Sequence, residues 1–407
     1  PRLSVQSDLD GLGLSVPSLG WSMSRGATGR LNVAATLGSA PRVDSLSLTG
    51  GGLALSGRVT TKAGGQFDQA IFDSLRIGDW LNVSATLTGR GAGRSPAVRI
   101  NSGSLDLGGA TFGKDEGTAS GDSPPLSVSL DRLQIARGLA LTGLQAQLTT
   151  AGGLAGTFTG QMNGGTALSG KIVPEAGRNA FQVTSADAGG IFRDAGILKQ
   201  ARGGALNLIL RPAPETGSYD GTLRVTNTSV HEGSGIGAIL NAISLVGLID
   251  ELAGNGITFS EVDASFRLSP SRLTLLSASA IGPSIGLSLD GIYDLASATL
   301  DMQGVLSPLY ALNAIGSVLT RKGEGLIGVN FDLSGPASAP RISVNPLSAL
   351  APGFLRELFR DPAPTVSKSR TDGDLSGGAA EQEPGQGAAS PDPSTPAPLR
   401  VAPEPQR

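Results

Sequence analysis

Along most of the chain, apolar side chains occupy every second position, with Ser, Thr, Asn or Gln between them. Runs of this kind stand at Leu31, Val33, Ala35 and Leu37, at Leu81, Val83, Ala85 and Leu87, at Val98 and Ile100, and at Leu105 and Leu107. Others follow at Leu126, Val128 and Leu130, and at Leu144, Ala146 and Leu148. The second half repeats the pattern more cleanly: Leu206, Leu208 and Leu210; Leu223 and Val225; Ala264, Phe266 and Leu268; Ile285, Leu287 and Leu289; Ala298, Leu300 and Met302; Ile327, Val329, Phe331 and Leu333. A pleated strand sends successive side chains to opposite faces, so each run predicts a short strand with one greasy face. Many runs close on Leu, a small polar residue and Gly, as at Leu48-Thr49-Gly50, Leu55-Ser56-Gly57, Leu168-Ser169-Gly170 and Leu289-Asp290-Gly291, where Gly supplies freedom to turn. Short strands separated by turn residues predict antiparallel meanders.

A few segments follow a helical period instead. Residues 66–80 place Phe67, Ala70, Ile71, Leu75 and Trp80 near i, i+3, i+4 spacing, and residues 187–201 do the same with Ile191, Phe192, Ala195 and Leu198. Residues 235–253 carry Ile236, Ile239, Leu240, Ile243, Val246 and Ile249, and short helices are expected over 308–319 and 346–359. The polar stretch 113–125 is a candidate boundary. From residue 361 onward Pro, Ala, Ser, Gly, Glu and Gln dominate, so that segment cannot bury enough surface to offset its ordering entropy. The expected organisation is β-strand repeats over 1–120, a β-region with helices over 121–360, and a disordered tail over 361–407.

Composition narrows the function classes. At 407 residues the chain exceeds one compact core, so several domains or an elongated architecture are expected. Gly numbers 60, while aromatics are 4% and charged residues 16%, which suits strands and turns better than helices. A net charge of −3 with scattered cations offers no field to collect phosphates along a backbone, so nucleic acid is not an expected partner. Absence of Cys permits an oxidising compartment such as the periplasm. The chain opens at Pro1 directly in strand-like sequence, and a longer protein with a membrane anchor upstream is expected. The most apolar run, residues 236–249, is about 14 residues, short of the roughly 20 needed to span a bilayer.

Motifs of chemistry are sparse. His231 is the single histidine, expected to be a solvated surface residue beside Glu232, and no metal site is expected. Gly282-Pro283-Ser284-Ile285-Gly286 has the spacing of a nucleophile elbow, but the residues after it continue as a strand where the elbow requires a helix, so a turn between strands is expected. Gly233-Ser234-Gly235-Ile236-Gly237 has some spacing of a dinucleotide turn but lacks the second strand with its acidic residue, so a flexible helix entry is expected. With Asp and Glu dispersed, the reading as a secreted enzyme or adhesin finds no acidic cleft. No catalytic residue and no cofactor are expected.

The greasy face must nevertheless be covered. Each large apolar side chain taken from water stabilises by about 1.5–3 kcal/mol, and the second-half strands carry more than a dozen. The cover is a second sheet, the same sheet curled on itself, or a bound apolar ligand. A plain β-sandwich or β-solenoid remains open on periodicity alone, whereas an outer-membrane barrel would need longer strands and aromatic girdles.

Several stretches carry a family resemblance: Asp187-Ala188-Gly189-Gly190-Ile191-Phe192 through Leu198 and Arg202-Gly203-Gly204; Ile236 to Leu252 followed by Gly256-Ile257-Thr258-Phe259; Leu306-Ser307-Pro308-Leu309-Tyr310; Gly323-Glu324-Gly325-Leu326-Ile327-Gly328-Val329-Asn330-Phe331-Asp332-Leu333-Ser334-Gly335-Pro336; and Pro340-Arg341-Ile342 through Phe354. Over roughly 187–359 the chain resembles the C-terminal region of the AsmA-like family, the AsmA, TamB and YhdP types of bacterial envelope protein. The resemblance implies a mainly β protein: an elongated antiparallel sheet curled into an open apolar groove, with a few short α-helices near the C-terminal end. It implies anchorage in the inner membrane, reach into the periplasm of a Gram-negative cell, phospholipid acyl chains as cargo in outer-membrane biogenesis, and outer-membrane or other envelope proteins as partners. On that reading the groove is lined by Leu206, Leu208, Leu210, Leu223, Val225, Phe266, Leu268, Ile285, Leu287, Leu289, Leu300, Met302, Val329, Phe331 and Leu333. Ile239, Ile243, Phe354, Leu355 and Phe359 would cap an end or touch a membrane. The alternative within the family is an assembly scaffold for outer-membrane proteins.

Overall fold

The computed structural model describes residues 1–110, 123–150, 153–231, 240, 254, 256–308, 310, 320–351, 355–356 and 360–366. The chain starts with β1 (Arg2–Ser7), then a separate hairpin of β2 (Leu14–Val16) and β3 (Trp21–Met23). β4 (Gly29–Thr36) pairs back onto β1 and opens an antiparallel meander through β5 (Arg42–Gly50), β6 (Leu53–Thr61), β7 (Phe67–Ile77), β8 (Leu81–Thr88) and β9 (Ala97–Asp106). β10 (Pro125–Ala136) joins β9 in parallel. A second meander continues through β11 (Leu139–Thr149), β12 (Ala155–Met162), β13 (Ala167–Glu175) and β14 (Arg178–Ser185). Helix α1 (Ala188–Asp194) and the short β15 (Ala201–Arg202) intervene before β16 (Ala205–Pro212). The sheet is then extended by β17 (Tyr219–Val230), β18 (Ile257–Leu268), β19 (Arg272–Ile281), β20 (Ile285–Asp294), β21 (Thr299–Pro308), β22 (Val329–Pro336) and β23 (Arg341–Asn345).

The result is one large, mostly antiparallel sheet that does not close, and the fold is mainly β. Its one parallel pair, β9 with β10, falls beside the polar stretch 113–125, of which residues 113–122 lie outside the described residues. A parallel partner requires a connection that runs from one end of the strands to the other, which residues 107–124 make. Every other long connection, 8–28, 186–204, 231–256 and 309–328, leaves and returns at a single end of the sheet. At the opposite end the connections are short turns, the longest being 89–96.

Residues 66–80 are not helical: β7 occupies Phe67–Ile77. The cause is a bulge. Register shifts between Phe72 and Leu75 against β8, so the inward positions run Ala70, Phe72, Leu75, Ile77, and one extra residue turns a step of two into a step of three. That step imitates a helical i, i+3 spacing. The expected helix over 187–201 is real but shorter, α1 covering Ala188–Asp194. Asp187 stops the strand and caps the helix, its carboxylate accepting from the Gly190 N–H at 2.8 Å. Of residues 235–253 only Leu240 is described, and it is helical; of 308–319, Pro308 belongs to β21 and Tyr310 is helical. Of 346–359, Pro346–Leu350 forms a 3₁₀ turn with Asn345 as its cap.

Of the Leu-polar-Gly repeats expected to turn the chain, Gly50 ends a strand, but Gly57, Gly170 and Gly291 lie inside strands, where the missing side chain serves packing, as it does at Gly221 and Gly304. Gly170 sits in mid-strand opposite Phe158, and Gly221 opposite Phe266, where a Cβ would stand 2.2 Å from the ring carbon of its partner in each case. Missing side chains let the neighbouring rings lie flat across the sheet and cover backbone that would otherwise be bare. Gly304 under Phe331 repeats the arrangement. Accordingly, Gly221→Val is expected to lower stability in urea unfolding by about 1–3 kcal/mol, against the usual gain from a β-branched residue in a strand, and Gly221→Ala combined with Phe266→Leu is expected to recover part of the loss.

Candidate functional site

Register carries the apolar face from strand to strand without a break. Leu206, Leu208 and Leu210 of β16 stand opposite Val225, Leu223 and Gly221 of β17, which stand opposite Val262, Ala264 and Phe266 of β18. Across β19 the same face reaches Leu287, Leu289 and Gly291 of β20, then Leu306, Gly304 and Met302 of β21, and Val329, Phe331 and Leu333 of β22. All fifteen positions expected to line the groove therefore share one face. In the other direction the face passes through Phe181 and Val183, Ile172, Phe158, Ala146, Val128 and Ile100, and it ends at Leu3 and Val5 of β1.

Burial along this face is graded over β16–β22, while Ala146, Leu148 and Ile172 form a further buried cluster on β11 and β13. At the end bearing the long connections, Leu206, Val225, Ile285, Leu306, Val329 and Phe331 are buried. Toward the short-turn end, Leu208, Leu210, Leu223, Phe266, Leu268, Leu287, Leu289, Leu300, Met302 and Leu333 are only partly covered. Three insertions cause the difference. The β2–β3 hairpin sets Trp21 and Met23 against Leu53 and Ile77, with the Trp21 Nε1–H donating to the Gly51 carbonyl at 2.9 Å. Helix α1 sets Ile191 among Leu141, Leu144, Met162, Leu206 and Val225. Leu240, fully buried, meets Val230, Ile257, Phe259, Ile285, Leu306 and Phe331. Of the five residues expected to cap an end or touch a membrane, Ile239, Ile243, Phe354 and Phe359 lie outside the described residues, and Leu355 is exposed.

The opposite face carries a buried charged cluster that periodicity alone does not reveal. The Arg360 guanidinium reaches Asp290 at 2.5 Å and Glu324 at 2.7 Å, and all three side chains are buried. Asp290 also accepts from Arg321 at 3.1 Å and from Gln303 Nε2 at 2.9 Å, and Glu324 accepts from the Ser288 hydroxyl at 2.6 Å. Buried Arg356 donates to the carbonyls of Leu326, at 2.7 Å, and Gly325. Lys322 ties Glu261 at 3.0 Å and Asp263, and these contacts together strap residues 320–326, Arg356, Arg360 and Asp361 across β18–β22. Beneath Arg321 and Lys322 a pocket of about 370 Å³ is floored by Ser265, Ser277, Ser279 and Ser288. The arrangement is charge-balanced and pins backbone; removal of one partner would strand a buried charge. Burial, with the nearby Asp361, pushes the Asp332 carboxyl above the usual carboxylate range.

His231 is half-buried rather than solvated, its ring pressed against Gly256 and its Nδ1 without a partner among the described residues. Gly282–Ser284 connect β19 to β20 as a turn, with the Gly282 N–H donating to Ile285 at 2.8 Å. The glycines at 233–237 lie outside the described residues. Among the described residues no cluster of acidic or imidazole side chains is arranged to hold a metal, and no helix is long and apolar enough to cross a membrane.

Asp194, at the end of α1, accepts from both the hydroxyl and the backbone N–H of Thr166 at 2.6 Å. The Thr166 hydroxyl chiefly holds its carboxyl below the usual range, against the opposing pull of burial. A depressed folded pKa stabilises above the unfolded value, about 3.9, and that stability is lost as pH falls through the folded value. Asp194→Asn is therefore expected to cost about 1–2 kcal/mol at pH 7, and thermal melts should show the gap from wild type closing below about pH 4. Compared with known proteins, this chain matches no protein-family model, no curated protein and no solved structure.

Proposed function

We propose that the sheet curls into an open trough and conducts phospholipid acyl chains along its apolar face. The observation that carries the reading is the single register-locked apolar face running from β1 to β23 with no second sheet of comparable size against it among the described residues. A flat single layer would leave that face in water, yet its central residues are at least half covered, which curvature of the sheet accounts for. The remaining exposure is what acyl chains would cover, each methylene removed from water being worth about 0.8 kcal/mol. No directional contact pins a chain on such a surface, so cargo slides by passive partition and no catalytic group is needed. The resemblance to the AsmA-like family supports the same role, placed in the periplasm between inner and outer membranes and reached through an anchor in the inner membrane.

Protein purified in mild detergent is expected to carry phospholipid detectable by mass spectrometry of organic extracts. Leu208→Glu and Leu287→Glu, at partly covered positions, are expected to deplete that lipid several-fold while circular dichroism and thermal melts stay near wild type. Extracts free of phospholipid from the wild-type protein would reject the reading.

A second reading rests on the outer edges of β1 and β23, beside which no strand lies among the described residues, and on the exposed Leu3 and Val5 of β1. Such edges suit an assembly scaffold that offers strands to outer-membrane proteins. Photo-crosslinkers at Leu3 and Val5 would capture barrel proteins on this reading, and crosslinkers at Leu208 and Leu287 would capture lipid on the first.

A further inference from the structure

We infer that the short-turn end of the strands is where anionic phospholipid headgroups seat, with the turn between β18 and β19 as a built site; this rests on the proposed lipid-conducting role. The two ends of the sheet are chemically unequal. Insertions fold over the apolar face at one end and seal it around Trp21, Ile191 and Leu240. At the other end β16–β21 are joined by short turns and Leu210, Leu268 and Leu300 beside them are only partly covered, so a chain can enter sideways there.

That same end is basic, although the whole protein is net negative. Arg2, Arg94, Arg272 and Arg341 stand on or beside its turns, exposed and outside the ion pairs of the described residues. They are spread from the first strand of the sheet to the last. Among other cations there, Arg42 is neutralised by Asp44 at 2.7 Å and Arg267 by Asp220 at 2.6 Å, while Arg178 is held by the carbonyls of Ala213 and Ser218. The carboxylate on the adjoining turn, Asp294, accepts chiefly from the N–H groups of Ala296 and Ser297 and the Ser297 hydroxyl, and its cross-strand neighbour Arg272 adds only a weaker electrostatic pull.

At the β18–β19 turn the charge meets a recess. Arg272 lines a cavity of about 550 Å³ with Ser269, Ser271 and Thr274, and Glu215, the paired Arg267, Ile292 and the C-terminal segment at Pro364, Thr365 and Val366 complete its walls. Directly over the rim, on the apolar face, lie Leu268, Leu273 and Tyr293, paired across β18–β20 and partly covered. One turn of chain thus presents a guanidinium and hydroxyls on one side and aliphatic and aromatic surface on the other. A phosphodiester on Arg272 can leave its acyl chains running over Leu268 and Leu273. Phosphate suits a guanidinium fork, and a second negative charge or an uncompensated one is favoured over a zwitterion by the neighbouring arginines.

The test uses the full chain and two lipids, dioleoyl phosphatidylglycerol and dioleoyl phosphatidylcholine, with binding read by native mass spectrometry and by flotation with vesicles of phosphatidylcholine alone or with about 30% phosphatidylglycerol. Wild type is expected to prefer phosphatidylglycerol, and Arg94→Glu/Arg272→Glu/Arg341→Glu is expected to lose that preference by roughly tenfold or more, with phosphatidylcholine binding unchanged. Lys199→Glu with Arg25→Glu, at the sealed end, is expected to leave the preference intact. Equal binding of the two lipids by wild type, or equal losses in both variants, would overturn the headgroup site while leaving acyl-chain conduction standing. No binding of either lipid by wild type would instead remove conduction itself, and the headgroup site with it.

Discussion

The structure depends on one constraint: a single-layer sheet with most of its large apolar side chains on one face must keep every strand in phase with the next. A slip of one residue would turn a whole strand's apolar set into water. Bulges absorb the irregularities without breaking phase, as between Ser265 and Phe266 against β19 and between Phe72 and Leu75 against β8. Phe158 over Gly170, Phe266 over Gly221 and Phe331 over Gly304 then fill the face laterally, so that neighbouring strands cover each other where no second sheet does.

Such a face has to be finished differently at its two ends. Where the β2–β3 hairpin, α1 and Leu240 fold inward, burial is complete and the side chains behave as an ordinary core. The other end keeps half-covered aliphatics on β16–β21 beside short turns. On the polar side, Arg360, Asp290 and Glu324 lock the chain that follows β23 across β20–β22, which restrains the terminal strands from fraying. Hydrophobic burial supplies most of the stability, and the buried ions specify which segment lies where.

A graded apolar surface with a sealed end and an open one fits cargo that is long, apolar and able to slide. The proposed conduit accordingly assigns binding to area and shape in place of a few catalytic groups, and any selectivity falls to the charged rim.

The strands, their inward residues and the mainly β class were legible in the sequence, because alternation at period two is a local property that survives whatever the strand pairs with. So was the start of α1, written in Asp187 and the glycines that follow it. Residues 66–80 misled because a bulge depends on the partner strand and its three-residue step copies a helical one. The Arg360–Asp290–Glu324 cluster was invisible for a related reason: its members lie 70 and 36 positions apart, and only the folded sheet brings them into hydrogen-bonding range. By itself the sequence determined which side of each strand would be oily. Tertiary structure alone decided that all those sides join into one surface, and which end of it closes, since register and the resting place of the insertions are set by contacts between segments far apart in the chain.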